Sequence, residues 1–191
     1  MDYIVFDIET KNSYISGGSF IPEQLDLSII CIYDSQSDEY YSFLEDELHK
    51  LWPFIEKTEM LIGYNSDHFD IPLLNKYYNG DLTHIKSLDL LKEIKDSLNR
   101  RVSLDQVAEG TLGRKKIASG IQAVKWYQEG NLDSLRKYCL EDVKITKEIY
   151  DYALQHQHLK FKEAGKIFDI KLDTSTWNKK EDGSMTFSLP F

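Results

Sequence analysis

Residues 2–9, YIVFDIET, are β-branched and aromatic until the acids arrive, which predicts a buried strand. Two more strands follow at 27–34, LSIICIYD, and 39–44, EYYSFL, and the turn-forming run Asp34-Ser35-Gln36-Ser37-Asp38 between them predicts a hairpin. Leu48, Leu51, Trp52 and Ile55 recur at helical spacing, with Pro53 expected to kink that helix or divide it into two short pieces. The short apolar run 59–63, EMLIG, comes after this helix, which suggests a strand joined by a parallel crossover.

Helices are expected from Asp70 to Tyr78, with Pro72 in the first turn where a missing N–H costs little, and from Ser87 to Leu98. Ser103 and Gln106 form a capping box for a short helix ending at Gly110. The longest helical pattern runs from about Leu132 to Leu154, with Leu135, Cys139, Val143, Ile149 and Ala153 on or near one face. Residues 159–163 and 167–172, around Ala164-Gly165-Lys166, read as a C-terminal hairpin, and 173–185 are polar. This order predicts an α/β fold, a mixed sheet flanked by helices. Two units are expected: a main domain over 1–154, then a hairpin and flexible tail over 155–191.

Composition narrows the picture. Of the 191 residues, 41% are hydrophobic, which supports a packed core and excludes a disordered chain. No apolar run approaches the ~20 residues of a membrane span. The N-terminus has no basic region or small-residue cleavage site, so no secretory signal is expected. Cys31 and Cys139 both sit in apolar contexts and read as small buried hydrophobes, so a reducing, cytoplasmic setting is the expectation.

A net charge of −9 argues against non-specific nucleic-acid binding. Bound cations would cancel several acids, however, and the basic residues are clustered. Arg100, Arg101, Arg114, Lys115, Lys116 and Lys125 face only Asp105 and Glu109 in their stretch. That run is either a solvated face or a phosphate-contacting patch.

The chemistry lies in the acids. Asp7 and Glu9 are two apart on a predicted strand, so both carboxylates project from one face while Ile8 points the other way; taken alone, the pair reads either as a solvated strand end or as acids that meet something positive. Asp70, in GYNSDHFD, opens a helix after an apolar strand. It reads either as a helix cap or as a group presented at the sheet edge. Asp67 is the weaker candidate, because no apolar residue precedes it to anchor the backbone. Tyr138 and Asp142 are four apart on the long helix and share a face with Leu135 and Cys139. An Asp on a buried stripe needs a partner or a metal, whereas one on a helix edge does not. Glu141 is turned about 100° away.

FDIET at 6–10, NSDHFD at 65–70 and YCLED at 138–142 resemble the three exonuclease motifs of the DEDD superfamily. The Tyr-x-x-x-Asp form of the third is similar to the DEDDy branch, which includes the proofreading domains of family B polymerases. GYNSDHFDIPLL also looks like a group of small stand-alone exonuclease-like domains. The resemblance covers residues 2–153 and implies a ribonuclease H-like fold.

The resemblance further implies 3′→5′ exonuclease activity on single-stranded DNA or RNA ends, DNA favoured, in repair or replication. It implies two divalent cations, Mg2+ or Mn2+, held by Asp7, Glu9, Asp70 and Asp142. Asp7 would bridge both, Glu9 and Asp142 would complete the water-activating site, and Asp70 would serve the second ion. Tyr138 would hydrogen-bond the attacking water, and Thr10, Asn65 and Phe69 would touch the terminal nucleotide. Hard oxygen ligands suit these cations, and two ions stabilise both the attacking and the leaving oxygen of a phosphodiester displacement.

Two other classes compete. A catalytically silent ribonuclease H-like binding module would be favoured by loss of an acid, yet all four are present. A small-molecule phosphate enzyme would be favoured by a glycine-rich phosphate loop, and the sequence has none. Finally, Ser188-Leu189-Pro190 within the apolar segment 186–191 resembles the peptides by which bacterial replication and repair proteins dock on a sliding clamp. Thr186 stands where that pattern usually has Gln, and the alternative is an apolar tail folded onto its own domain.

Overall fold

A computed structural model describes residues 1–12, 21–115 and 119–179. The segment 186–191 and Lys116 therefore lie outside the described residues. The chain folds as a mixed α/β structure in which five strands carry helices on both faces. Strands β1 (Tyr3–Thr10), β2 (Leu27–Asp34), β3 (Glu39–Leu44), β4 (Met60–Gly63) and β5 (Lys86–Asp89) form the sheet in the order β3-β2-β1-β4-β5. β1, β2 and β3 are antiparallel neighbours, whereas β4 pairs parallel to β1 and β5 parallel to β4. β1 thus sits at the centre, with the ends of the three parallel strands along one edge.

The period of two in β1 decides which side chains go where. Ile4, Phe6 and Ile8 point to one layer, where they pack with α1 (Leu48–Ile55) and α2 (Asp70–Asn75) through Leu51, Ile55, Leu73 and Leu74. Val5 points to the other, which holds α3 (Leu90–Leu98), α4 (Leu104–Leu112), α5 (Gly120–Gln128) and α6 (Leu132–His156). Asp7 and Glu9 continue the Val5 face to the end of the strand. The same alternation that builds the core therefore delivers both acids to the α6 side.

The hairpin at 27–44 and the parallel crossover form as the sequence predicts. α1 is a single helix with Pro53 inside its last turns, preceded by a 3-10 turn at Glu45–Glu47. The capping box of Ser103 and Gln106 is made, although α4 runs past Gly110 to a left-handed Gly113.

Other expectations are corrected. α2 stops at Asn75 rather than Tyr78. The helix expected from Ser87 is strand β5 followed by α3, because Asp89 adopts extended backbone and caps α3 by accepting from the N–H groups of Leu91 and Lys92. α5 was not expected at all.

The C-terminal hairpin is β6 (His158–Glu163) and β7 (Lys166–Lys171). Leu159, Phe161, Ile170, Leu172 and Trp177 are buried in the same cluster as α6. Gly110 on α4 permits the close approach, since a Cβ there would lie 2.5 Å from the Phe161 backbone. Among the described residues no helix is long and apolar enough to cross a membrane.

Candidate active site

Asp7, Glu9 and Asp142 converge. Each offers a carboxylate oxygen, and these oxygens all lie within 4.8 Å of one another. Asp142 is 2% exposed and Glu9 9%. Both ends of the contact are built by packing. α6 lays Leu135, Tyr138, Cys139, Asp142, Val143 and Ile149 against the sheet as one buried stripe, so the helix-edge alternative for Asp142 is set aside. Cys139 fixes the level of the helix by donating its thiol hydrogen to the Asp7 carbonyl at 3.4 Å. Cys31, opposite Asp7 in the β1–β2 register, lies against Cys139, so both cysteines are small buried packing groups, as expected.

Tyr138 shares the stripe and is almost fully buried. Burial pushes its phenol pKa up, and the carboxylates of Asp142, Glu9 and Asp7, in that order, push it further. A hydrogen bond with Asp142 adds to the effect, so this hydroxyl holds its proton throughout the physiological range. Trp126 on α5 meets the Tyr138 ring edge-on at 6.1 Å and 61°, which locks its orientation.

Asp70 stands outside the 4.8 Å group of three but is tied to the same strand. It occupies the first position of α2, where Phe69 is the N-cap and no side chain caps the helix, and its carboxylate accepts the backbone N–H of Ile8 at 3.0 Å. It therefore reaches β1 between the two acids. Burial pushes its carboxyl up to about 7, against the lowering effect of the Ile8 hydrogen bond. Asp67 is exposed and accepts from the Ser87 hydroxyl at 2.5 Å, away from the acids.

The remaining predicted residues either follow Glu9 on β1 or lie between β4 and the start of α2. Thr10 follows a register shift in the β1–β2 pairing, where Glu9 faces Ile29 and Thr10 faces Leu27; the irregularity bends the strand end that carries Glu9. The Thr10 hydroxyl donates to the Asn12 carbonyl at 2.9 Å. Phe69 is half-buried against the α1–α2 layer. Asn65 has a left-handed backbone, φ 67°, which favours Asn over bulkier residues.

Two residues that the sequence reading did not assign hold Asn65 there. The Asp89 carboxylate accepts the N–H groups of Asn65 at 2.8 Å and Asp67 at 3.2 Å, while also capping α3. Arg101 donates to the Asn65 side-chain oxygen at 2.5 Å. An Asp closing a short alternating stretch before Leu90-Leu91 was the available signal for the first. For Arg101 only membership of the basic run was visible. That run is not one patch: Arg100, Arg114 and Lys115 form ion pairs with Glu163, Glu148 and Glu109.

Three carboxylates this close repel one another unless a cation lies among them. The donors are all hard oxygens, two of the three acids are buried, and a fourth carboxylate is anchored alongside. The residues present thus fit divalent cations of the magnesium or manganese kind.

Comparison with known proteins bears on the fold. The family model for the RNase_H superfamily matches residues 4–154. No curated protein matches the chain. Among solved structures, the chain is similar to the family B DNA polymerase of the hyperthermophilic archaeon Pyrobaculum calidifontis, with a TM-score of 0.62 and 20% identity. The match covers 80% of this chain and 24% of the polymerase, so the chain spans about a quarter of that protein's length.

Proposed function

This chain belongs to the RNase H superfamily, and we propose that within it the protein is a metal-dependent 3′→5′ exonuclease. In this reading it removes nucleotides from the 3′ end of single-stranded nucleic acid, DNA in preference to RNA, and releases nucleoside 5′-monophosphates in replication or repair. The observation that carries the reading is the meeting of Asp7 and Glu9 from β1 with Asp142 from α6, more than 130 residues along the chain, within 4.8 Å beside a buried tyrosine.

Asp7, Glu9 and Asp142 would hold one divalent cation, and Asp70 would serve a second that shares Asp7. Bound there, Mg2+ or Mn2+ would activate water and stabilise charge on the attacking and leaving oxygens. Tyr138 keeps its proton and therefore does not act as a base; its hydroxyl orients the attacking water. Trp126 holds the phenol in place. Asn65, Thr10 and Phe69 position the terminal nucleotide, with Asn65 set by Asp89 and Arg101.

Oligonucleotides of DNA and RNA labelled at the 3′ or the 5′ end, incubated with Mn2+ and with EDTA, test the proposal. The expected result is immediate loss of a 3′ label as mononucleotide, a descending ladder from the 5′ label, and no reaction in EDTA. Cleavage in EDTA, or a ladder from the opposite end, contradicts it.

A further inference from the structure

A second cleft opens on the same edge of the sheet, beyond the acids. Asn65, His68, Lys92, Lys95 and Arg101 line it. It lies outside the C-terminal end of β5, two strands from β1, so its floor is about 10 Å from the acid-bearing strand end at ordinary strand spacing. Ligands of open α/β sheets bind along this edge.

Lys92 and Lys95 are three apart on α3, so both ammonium groups project from one side of the helix. Both are exposed, and neither forms an ion pair among the described residues. Many other lysines are already engaged, such as Lys11 with Glu45 and Lys162 with Glu109. Three acids, Asp67, Asp89 and Asp96, also border the cleft and keep their charge, but two of them turn their oxygens to donors of the protein itself. Asp89 spends its oxygens on the N–H groups of Asn65, Asp67, Leu91 and Lys92, and Asp67 accepts from Ser87. Asp96 remains on the exposed side of α3. Arg101 joins the cleft to the candidate active site, because its guanidinium reaches the side chain of Asn65.

We propose that this cleft is a backbone-phosphate subsite for single-stranded nucleic acid, in which Lys92, Lys95 and Arg101 hold phosphates flanking the bond cut at the acid cluster. Its place in turnover rests on the exonuclease reading, whereas the binding itself does not. Lys92, Lys95 and Arg101 offer cationic contacts at one place on a chain whose net charge is −9, and single-strand affinity gained this way is salt-dependent.

The test is binding of a fluorescent ten-residue oligothymidylate by anisotropy, in EDTA, across a salt series. Lys92→Glu/Lys95→Glu should weaken binding about tenfold and flatten the log Kd–log salt slope by about 1.4, two contacts at ~0.7 each. Lys92→Gln/Lys95→Gln should flatten the slope equally with a smaller loss of affinity, since it adds no repulsion. Lys50→Glu/Lys57→Glu makes the same change in net charge at exposed positions on and just after α1, which packs beside β3 at the opposite edge of the sheet, and should leave the slope unchanged. Equal losses in both Glu double variants, an unchanged slope in the cleft variants, or no binding by the unmodified protein would overturn the proposal. Because no turnover occurs in EDTA, failure of the nuclease reading in the cleavage assay leaves this result independent.

Discussion

Replacing Asp70 with Asn should stabilise the metal-free protein increasingly as pH rises. The Asp70 carboxyl is buried and titrates near 7 instead of its ordinary 3.8. Between these values the folded chain binds a proton that the unfolded chain has released, so folding stability falls with rising pH and levels off above 7. At ~1.4 kcal/mol per unit of pH, the full penalty above pH 7 is about 4 kcal/mol, and at pH 5 it is about 1.6 kcal/mol. Asn keeps the carbonyl that accepts the Ile8 N–H and carries no charge. Whatever its amide costs in that site is the same at both pH values.

The stability advantage of Asp70→Asn over the unmodified chain should therefore grow by about 2–3 kcal/mol between pH 5 and pH 8. For a chain of 191 residues this is roughly 5–10 °C in Tm. Differential scanning calorimetry of both proteins in EDTA at the two pH values reads it directly. Adding 10 mM Mg2+ at pH 8 should then narrow the gap, since the unmodified site binds the ion and gains stability by linkage. A Tm gap that is the same at both pH values, or smaller at pH 8, refutes the reasoning that Asp70 is a buried carboxyl awaiting a cation.

Other outcomes follow from the same geometry. Asp7→Ala or Asp142→Ala should reduce cleavage of a labelled oligonucleotide below detection, while Tyr138→Phe should leave a residual rate about 10²-fold down, since it removes an orienting hydroxyl and no carboxylate. Initial rates in Mn2+ check the ranking, and full activity in Asp7→Ala removes the assignment. Gly110→Ala places a Cβ 2.5 Å from the Phe161 backbone and should cost about 2 kcal/mol as the β6–β7 hairpin is pushed off α4, which a urea titration measures. Asp89→Ala strips acceptors from the N–H groups of Asn65 and Asp67. It should raise KM for oligonucleotides more than it lowers kcat, because the loop it holds contacts substrate rather than cations.

How much of this was legible depended on the range of the interaction concerned. The alternation in YIVFDIET specified both the central strand and the face carrying Asp7 and Glu9, because one period governs core and site alike. The i, i+4 spacing placed Tyr138 with Asp142 for the same reason. β5 was hidden because Leu88, Leu91 and Ile94 also satisfy a helical period, and only the pairing with β4 extends Lys86–Asp89. α5 was hidden because its hydrophobic residues form no clean helical stripe: only the neighbours Ala123 and Val124 are buried, while Ile121 faces solvent. Asp89 and Arg101 act on Asn65 across 24 and 36 residues, and no local pattern records such contacts. For Asp70 the sequence left cap and site residue open, and its side chain makes no cap but accepts the Ile8 N–H, 62 residues away, which no local pattern records.

The central claim is that four carboxylates form one cation site. Anomalous diffraction from crystals soaked in Mn2+ tests it most directly. Two manganese peaks about 3.5–4 Å apart, one among Asp7, Glu9 and Asp142 and the other between Asp7 and Asp70, are the expected result. Manganese bound elsewhere, with these four side chains uncoordinated in an active protein, would contradict it.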